Sequence, residues 1–257
     1  MANTALQPSG KTLEAPGLLR MLFETRAPFE VAGLLIAKPW LNRLPAGDGH
    51  PVIVYPGLGA NDMTTAVLRR FLNRCGYAAY PWCQGLNWGP RPGVLDGCRS
   101  RLAQLVRTHG QRASLIGWSL GGLYARELAN EQPDNTRCVI TLGTPFAGDP
   151  QATNAWRLYE RASGYSVRDE RPLPHYRETP SCPTTSIYSM SDGFVAWQCS
   201  INAQAPRAEN IRVPASHLGM GFNPLVLFAV ADRLAQDPQH WQPFKVDSRA
   251  RRWLYKV

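Results

Sequence analysis

The run Ala113-Ser114-Leu115-Ile116 leads straight into Gly117-Trp118-Ser119-Leu120-Gly121, and Gly122-Leu123-Tyr124-Ala125-Arg126-Glu127-Leu128-Ala129 follows. This reads as a short apolar strand, a tight Gly-x-Ser-x-Gly turn and a helix. A strand that turns so sharply into a helix forces its apex residue into a crowded backbone conformation. Residues without a side chain two before and two after the apex relieve the crowding, and glycines stand at 117 and 121. The serine hydroxyl is then held up at the carboxyl edge of a sheet, at the start of a helix. A plain turn that opens a helix can carry the same five letters. The strand before it and the helix after it set the two apart.

The rest of the chain has the periodicity such a turn requires. From residue 51 strands and helices alternate. Pro51–Tyr55 is an apolar run that ends at the turn Pro56-Gly57-Leu58-Gly59. Asp62 then offers a cap for a helix whose Met63, Val67, Leu68, Phe71, Leu72 and Cys75 share one face, and Gly76 stops it. A strand over 77–80, a loop rich in Gly, Pro and Trp over 82–92, and a helix with Val94, Cys98, Leu102 and Leu105 on one side come next. Beyond the serine turn, 137–142, 184–189 and 210–213 read as strands, and 224–235 reads as a last helix. This alternation predicts an α/β fold with a mostly parallel central sheet flanked by helices. No internal repeat or low-complexity linker breaks the pattern, so residues 1–257 read as one domain with a helical N-terminal extension over 1–45. In that extension Leu18, Leu19, Leu22 and Phe23 look helical. Residues 29–37 fit either a strand or a second helix, because short apolar runs do not discriminate.

Composition narrows the partners. The chain has 257 residues, 44% of them apolar and 18% charged, as expected of a globular protein with a full core. Its formal net charge of +9 suits an anionic membrane surface, an acidic carrier protein or nucleic acid, or is simply a basic solvated surface. No aromatic–basic RNA motif or helix-turn-helix pattern accompanies the charge, so nucleic acid is not an expected partner. Met1–Gly10 is polar and lacks a basic-flanked apolar stretch, so no signal peptide is read and a cytoplasmic location is expected. The most apolar stretches, 31–36 and 225–231, are too short to span a bilayer. Cysteines 75, 83, 98, 138, 182 and 199 show no metal-type spacing and read as reduced thiols. Cys182 and Cys199 would be the first candidates for a disulfide in an exported form. The oligomeric state is not legible.

Five pieces together resemble the α/β-hydrolase fold superfamily, and within it the lipase- and esterase-like serine hydrolases of bacteria. They are Val52-Ile53-Val54-Tyr55-Pro56-Gly57-Leu58-Gly59, Gly117-Trp118-Ser119-Leu120-Gly121-Gly122, Thr141-Leu142-Gly143-Thr144-Pro145, Ser191-Asp192-Gly193 and Ser216-His217. The resemblance covers residues 50–235 and implies the chain order nucleophile, acid, histidine. Here that order is Ser119, Asp192, His217. Asp192 stands where the family places its acid, at the end of a late strand; the plainer reading is a turn aspartate beside a glycine. Asp149 and Asp169 are weaker candidates within an insertion. His217 follows the strand at 210–213 by a short loop, as the family's histidine does, whereas His50, His109, His175 and His240 read as surface or satisfied residues. The resemblance also implies an oxyanion hole made by the backbone N–H groups of Leu120 and Leu58. Many relatives have His-Gly where this chain has Pro56-Gly57, but the donor is backbone and survives the change. The activity implied is hydrolysis of a small ester or acyl substrate through an acyl-enzyme, with no metal or organic cofactor.

Residues 146–180 form a stretch longer than an ordinary crossover. In lipase-like relatives this position carries a cap or lid; a surface helix packed on the domain edge is the alternative. Trp118, Trp156 and Tyr159 are the expected substrate contacts. Trp82 and Trp88 could also line an acyl pocket, and Trp118 could instead be buried in the core. Three other activities fit the same residues: a thioesterase or acyltransferase working on a carrier-bound acyl group, a peptidase, and a non-catalytic binding protein of this fold.

Overall fold

The computed structural model describes residues 13–256, so Met1–Gly10 lies outside it. Six strands form one sheet: β1 (Pro51–Tyr55), β2 (Ala78–Pro81), β3 (Ala113–Trp118), β4 (Thr136–Leu142), β5 (Thr184–Tyr188) and β6 (Ala208–Arg212). Their spatial order is β2-β1-β3-β4-β5-β6, and every pairing is parallel. Parallel strands need helices on both faces, which is why β1 and β3 are buried at every position. The helices are α1 (Leu18–Leu22), α2 (Ala27–Leu41), α3 (Ala66–Arg74), α4 (Val94–His109), α5 (Gly121–Glu131), α6 (Trp156–Ser163), α7 (Pro224–Leu234) and α8 (Arg249–Leu254).

Strand residues alternate between two cores, as a period of two demands. Val52, Val54, Ile116 and Ile140 join the α3 and α7 side chains on one face. Ile53, Tyr55, Leu115 and Val139 join those of α4 and α5 on the other. All the strands read from sequence are present, with ends shifted by a residue or two.

One expectation changes, and one open alternative is resolved. Asp62 does not cap the first crossover helix, which begins at Ala66. Its carboxylate instead accepts the Trp82 amide N–H at 3.1 Å, across the sheet edge. Residues 62–65 become turn, and Met63 is left exposed while Leu68, Phe71 and Leu72 are buried. The ambiguous stretch 29–37 is helix, part of α2; Glu30, Leu34, Ala37 and Leu41 recur at helical spacing on its inner side. Cys182 and Cys199 are not bonded to each other, and all six cysteines are free thiols. Burial pushes Cys182 up to about 12 and Cys199 up to about 11, so neither is a ready nucleophile. Among the described residues no helix is long and apolar enough to cross a membrane.

Candidate active site

Ser119 sits between β3 and α5 with φ +52, one of two positive-φ residues other than glycine among those described. Only this apex conformation turns a strand into a helix within two residues. The flanking glycines are sterically required: a Cβ on Gly117 would lie 2.2 Å from the Gly122 Cα, and one on Gly121 would lie 2.2 Å from the Tyr55 carbonyl oxygen. The Ser119 amide is tied to the Leu142 carbonyl at 2.8 Å.

Asp192 lies in the turn after β5 and is almost fully buried. Its Oδ1 accepts the N–H groups of Phe194 and Val195, both at 2.8 Å, which leaves Oδ2 to accept from His217 Nδ1 at 2.7 Å. Gly143, with φ +54, backs this pair so closely that a Cβ would lie 3.0 Å from Asp192 Oδ2. His217 is buried in the loop between β6 and α7. Burial disfavours its charged form, but the Asp192 charge and hydrogen bond, with the Glu24 charge added, outweigh that and hold its pKa above the ordinary imidazole value.

Ser119 and His217 open onto one cavity of about 460 Å³, a volume typical of small-molecule sites. No direct hydrogen bond joins the serine hydroxyl to the imidazole among the described residues. Such contacts often tighten only around a bound substrate. Gly57, Leu58 and Leu120 line the same cavity. The N–H groups of Leu58 and Leu120 donate to nothing among the described residues, so both are available. The turn that carries Leu58 is pinned by buried Asn87, whose side chain donates to the Pro56 carbonyl at 2.7 Å while its backbone pairs with Gly59 and Ala60.

The remaining lining is apolar. The 146–180 insertion supplies Leu158, Tyr159, Val167, Leu173 and Tyr176, so it lies over the site as a cap. Trp118 lines the cavity and also donates Nε1–H to the His217 carbonyl at 3.0 Å. Trp156 does not line the cavity. Ala155, Leu158 and Tyr159 form the inward stripe of α6 and its cap, and Trp156 is offset from that stripe, under the Arg157 guanidinium. Trp82 and Trp88 do not line it either; Trp82 is core, with its Nε1–H on the Gly85 carbonyl. Asp169 lies at the cavity but is paired with Arg171, and Asp149 pairs with Arg168; the carboxylate bonded to His217 is that of Asp192.

Two carboxylates escape sequence reasoning altogether. Glu24, in the turn between α1 and α2, accepts the N–H groups of Gly193 (2.8 Å), His217 (2.9 Å) and Leu218 (2.9 Å). Glu30 accepts the Ser216 N–H at 2.7 Å and the Asn223 side chain at 2.9 Å. The only available signal is that these are the sole acids between Leu18 and Leu41.

A second Asp–His–Ser chain lies at the opposite, amino edge of the sheet. His50 hydrogen-bonds Asp48 through Nδ1 and the Ser114 hydroxyl through Nε2, the latter at 2.8 Å. His50 and Ser114 are completely buried, and the Cys138 thiol also leans on Ser114. None of the three lines the cavity. Burial holds the His50 pKa below the ordinary value despite its bond to Asp48. Among the described residues no cluster of histidine, cysteine and carboxylate groups is arranged to hold a metal ion.

No family model matches the chain. A segment is 32% identical over 127 residues to homoserine O-acetyltransferase of Thermobifida fusca, covering 44% of this chain and 33% of that protein. The chain thus matches about a third of the length of this curated relative. Among solved structures, Aspergillus fumigatus lipase B aligns with a TM-score of 0.58 at 17% identity, over 76% of this chain and 55% of that one. An α/β-hydrolase fold protein from Nakamurella multipartita aligns with a TM-score of 0.50 at 18% identity, over 74% and 93%. Likeness at such identities speaks for architecture, and the sheet order, the serine turn and the cap agree with it: the chain has the α/β-hydrolase fold.

Proposed function

We propose that the chain is a serine hydrolase of carboxylic esters, working through an acyl-enzyme on Ser119. One observation carries the reading. A serine in a strained elbow shares an apolar cavity with a histidine whose far nitrogen is fixed by a buried carboxylate. Neutral His217 takes the Ser119 proton at Nε2 as Oγ attacks the ester carbonyl. Asp192 holds the imidazole in the required tautomer and stabilises its charged form. The free Leu58 and Leu120 amides receive the developing oxyanion, helped by the α5 dipole. Collapse expels the alcohol, which leaves with the proton from His217. Water activated by the same imidazole then releases the acid. The apolar lining favours an aliphatic or aromatic acyl group.

The segment shared with homoserine O-acetyltransferase supports a second reading, acyl transfer to an alcohol instead of water. The chemistry up to the acyl-enzyme is the same, and only the acceptor differs.

Fluorophosphonate labelling and p-nitrophenyl ester turnover test the proposal. Both should be lost in Ser119→Ala while the protein stays folded. His217→Ala should cost several powers of ten in kcat, and Asp192→Asn about ten-thousandfold. Full turnover by Ser119→Ala would end the proposal. Ester product formed in the presence of an added alcohol would favour the second reading.

A further inference from the structure

α2 breaks the rule for a surface helix. Its inner side packs on α7, but its outer side carries apolar residues where charges are expected. Phe29 is 77% exposed, Leu35 71% and Ile36 82%. α1 continues the pattern with Leu18, Leu19 and Leu22, all more than half exposed. A helix that is apolar all round is normally covered by something.

The surroundings identify the cover. α8 borders the C-terminal end of α2, because Phe228 of α7 stacks on Trp40 at 4.5 Å and lies under the Arg251 guanidinium at 5.0 Å. Around α8, Lys245, Arg249, Arg252 and Lys256 are exposed, and Asp247 is the lone acid between 245 and 256. Trp253 is 83% exposed among them. Exposed aliphatic side chains beside arginines and a tryptophan are the composition of a surface that settles into a lipid headgroup layer. A second copy of this chain would bring a charge of +9 against +9, which opposes self-association.

We propose that the outer faces of α1 and α2, together with α8, form a docking surface for a bilayer containing anionic lipid. The aliphatic side chains enter the headgroup–acyl boundary and the arginines and lysines meet the lipid phosphates. The surface reaches the mouth of the cavity. Glu24, in the turn between α1 and α2, holds Leu218, which is 47% exposed and lines the cavity. A docked molecule would therefore present its site next to the lipid.

Sedimentation with vesicles tests this without any substrate, so its outcome is independent of the ester-hydrolysis reading. Vesicles of phosphatidylcholine alone are compared with equal parts phosphatidylcholine and phosphatidylglycerol. The chain should pellet with the second kind, and salt should weaken the binding. Leu35→Gln/Ile36→Gln should lower the affinity roughly tenfold or more, at unchanged Tm, because both side chains are already exposed in the free protein. Arg249→Gln/Arg252→Gln should lower it by a similar factor, on the anionic vesicles alone. Three results would each overturn the proposal. One is failure of the wild type to pellet with the anionic vesicles. Another is unaltered binding by the apolar variant. The third is a dimer in light scattering that the apolar variant abolishes, which would make a second copy the cover.

Discussion

Both backbone groups and one ring nitrogen of His217 are held in place: the N–H by Glu24, the carbonyl by the Trp118 indole, and Nδ1 by Asp192. Very little rotation is left to the imidazole, so ordering it costs little when a substrate arrives. Glu24 does more than fasten the loop, because its charge helps keep the His217 pKa above the ordinary value of 6.5. In the proposed reaction the imidazole must be neutral to accept the serine proton. The acid limb of kcat/KM should therefore lie above pH 6.5. Glu24→Gln keeps the shape and removes the charge, which favours the neutral imidazole, so the limb should move to lower pH. A drop in kcat at every pH with the limb unmoved would mean that Glu24 acts by geometry alone. The anions that act on the ring are Asp192 and Glu24; Glu30, which holds the neighbouring Ser216 N–H, is partnered by Arg26 at 3.4 Å.

At the scale of elements, α5 begins two residues after Ser119, the proposed nucleophile, and grips the cap from its middle turns. Arg126, buried under the Phe146 ring, donates to the carbonyls of Tyr176 and Glu178 at 2.6 and 2.8 Å. Glu127 accepts the His175 N–H at 2.7 Å, while its other oxygen has no partner among the described residues. Burial raises the Glu127 pKa to about 7. Between the ordinary carboxylate pKa and about 7 the native state holds this proton and the unfolded chain has released it. Stability should therefore fall as pH rises through that window. Glu127→Gln should flatten the dependence of Tm on pH, as calorimetry at several pH values would show; an unchanged slope would assign it to another group. The strands, the serine elbow and the Asp192 and His217 loops were legible in the sequence because each is set by local pattern and chain order. Glu24 and Glu30 were not, because the N–H groups they hold lie far away in sequence: Glu24 is 169 and 193 positions from Gly193 and His217. Trp156 departs from the expected lining for a related reason. Aromatic content marks a cap, but only the start of α6 determines which residues form its inward stripe.

Across the whole molecule, the cap and the carboxyl ends of the parallel strands enclose the cavity, where ligands bind in open α/β sheets. Leu158 and Tyr159 extend the lining from the cap side and Trp156 does not. Leu158→Ala/Tyr159→Ala should shift the preference between short and long p-nitrophenyl esters several-fold to roughly tenfold, while Trp156→Ala should leave it in place. Equal loss on every ester, in step with Tm, would make α6 a structural flank. The sheet also has an opposite edge, where Asp48, His50 and Ser114 repeat the same three side-chain types with a direct serine–histidine hydrogen bond, which the Ser119 set does not show among the described residues. There the hydroxyl faces packed strands instead of open space, and no helix begins beside it. One set of letters is thus mortar at one end of β3 and, at the other, the reagent of the proposed reaction. In this molecule reactivity belongs to an address: the place where strands stop, a helix starts and room is left for a third party.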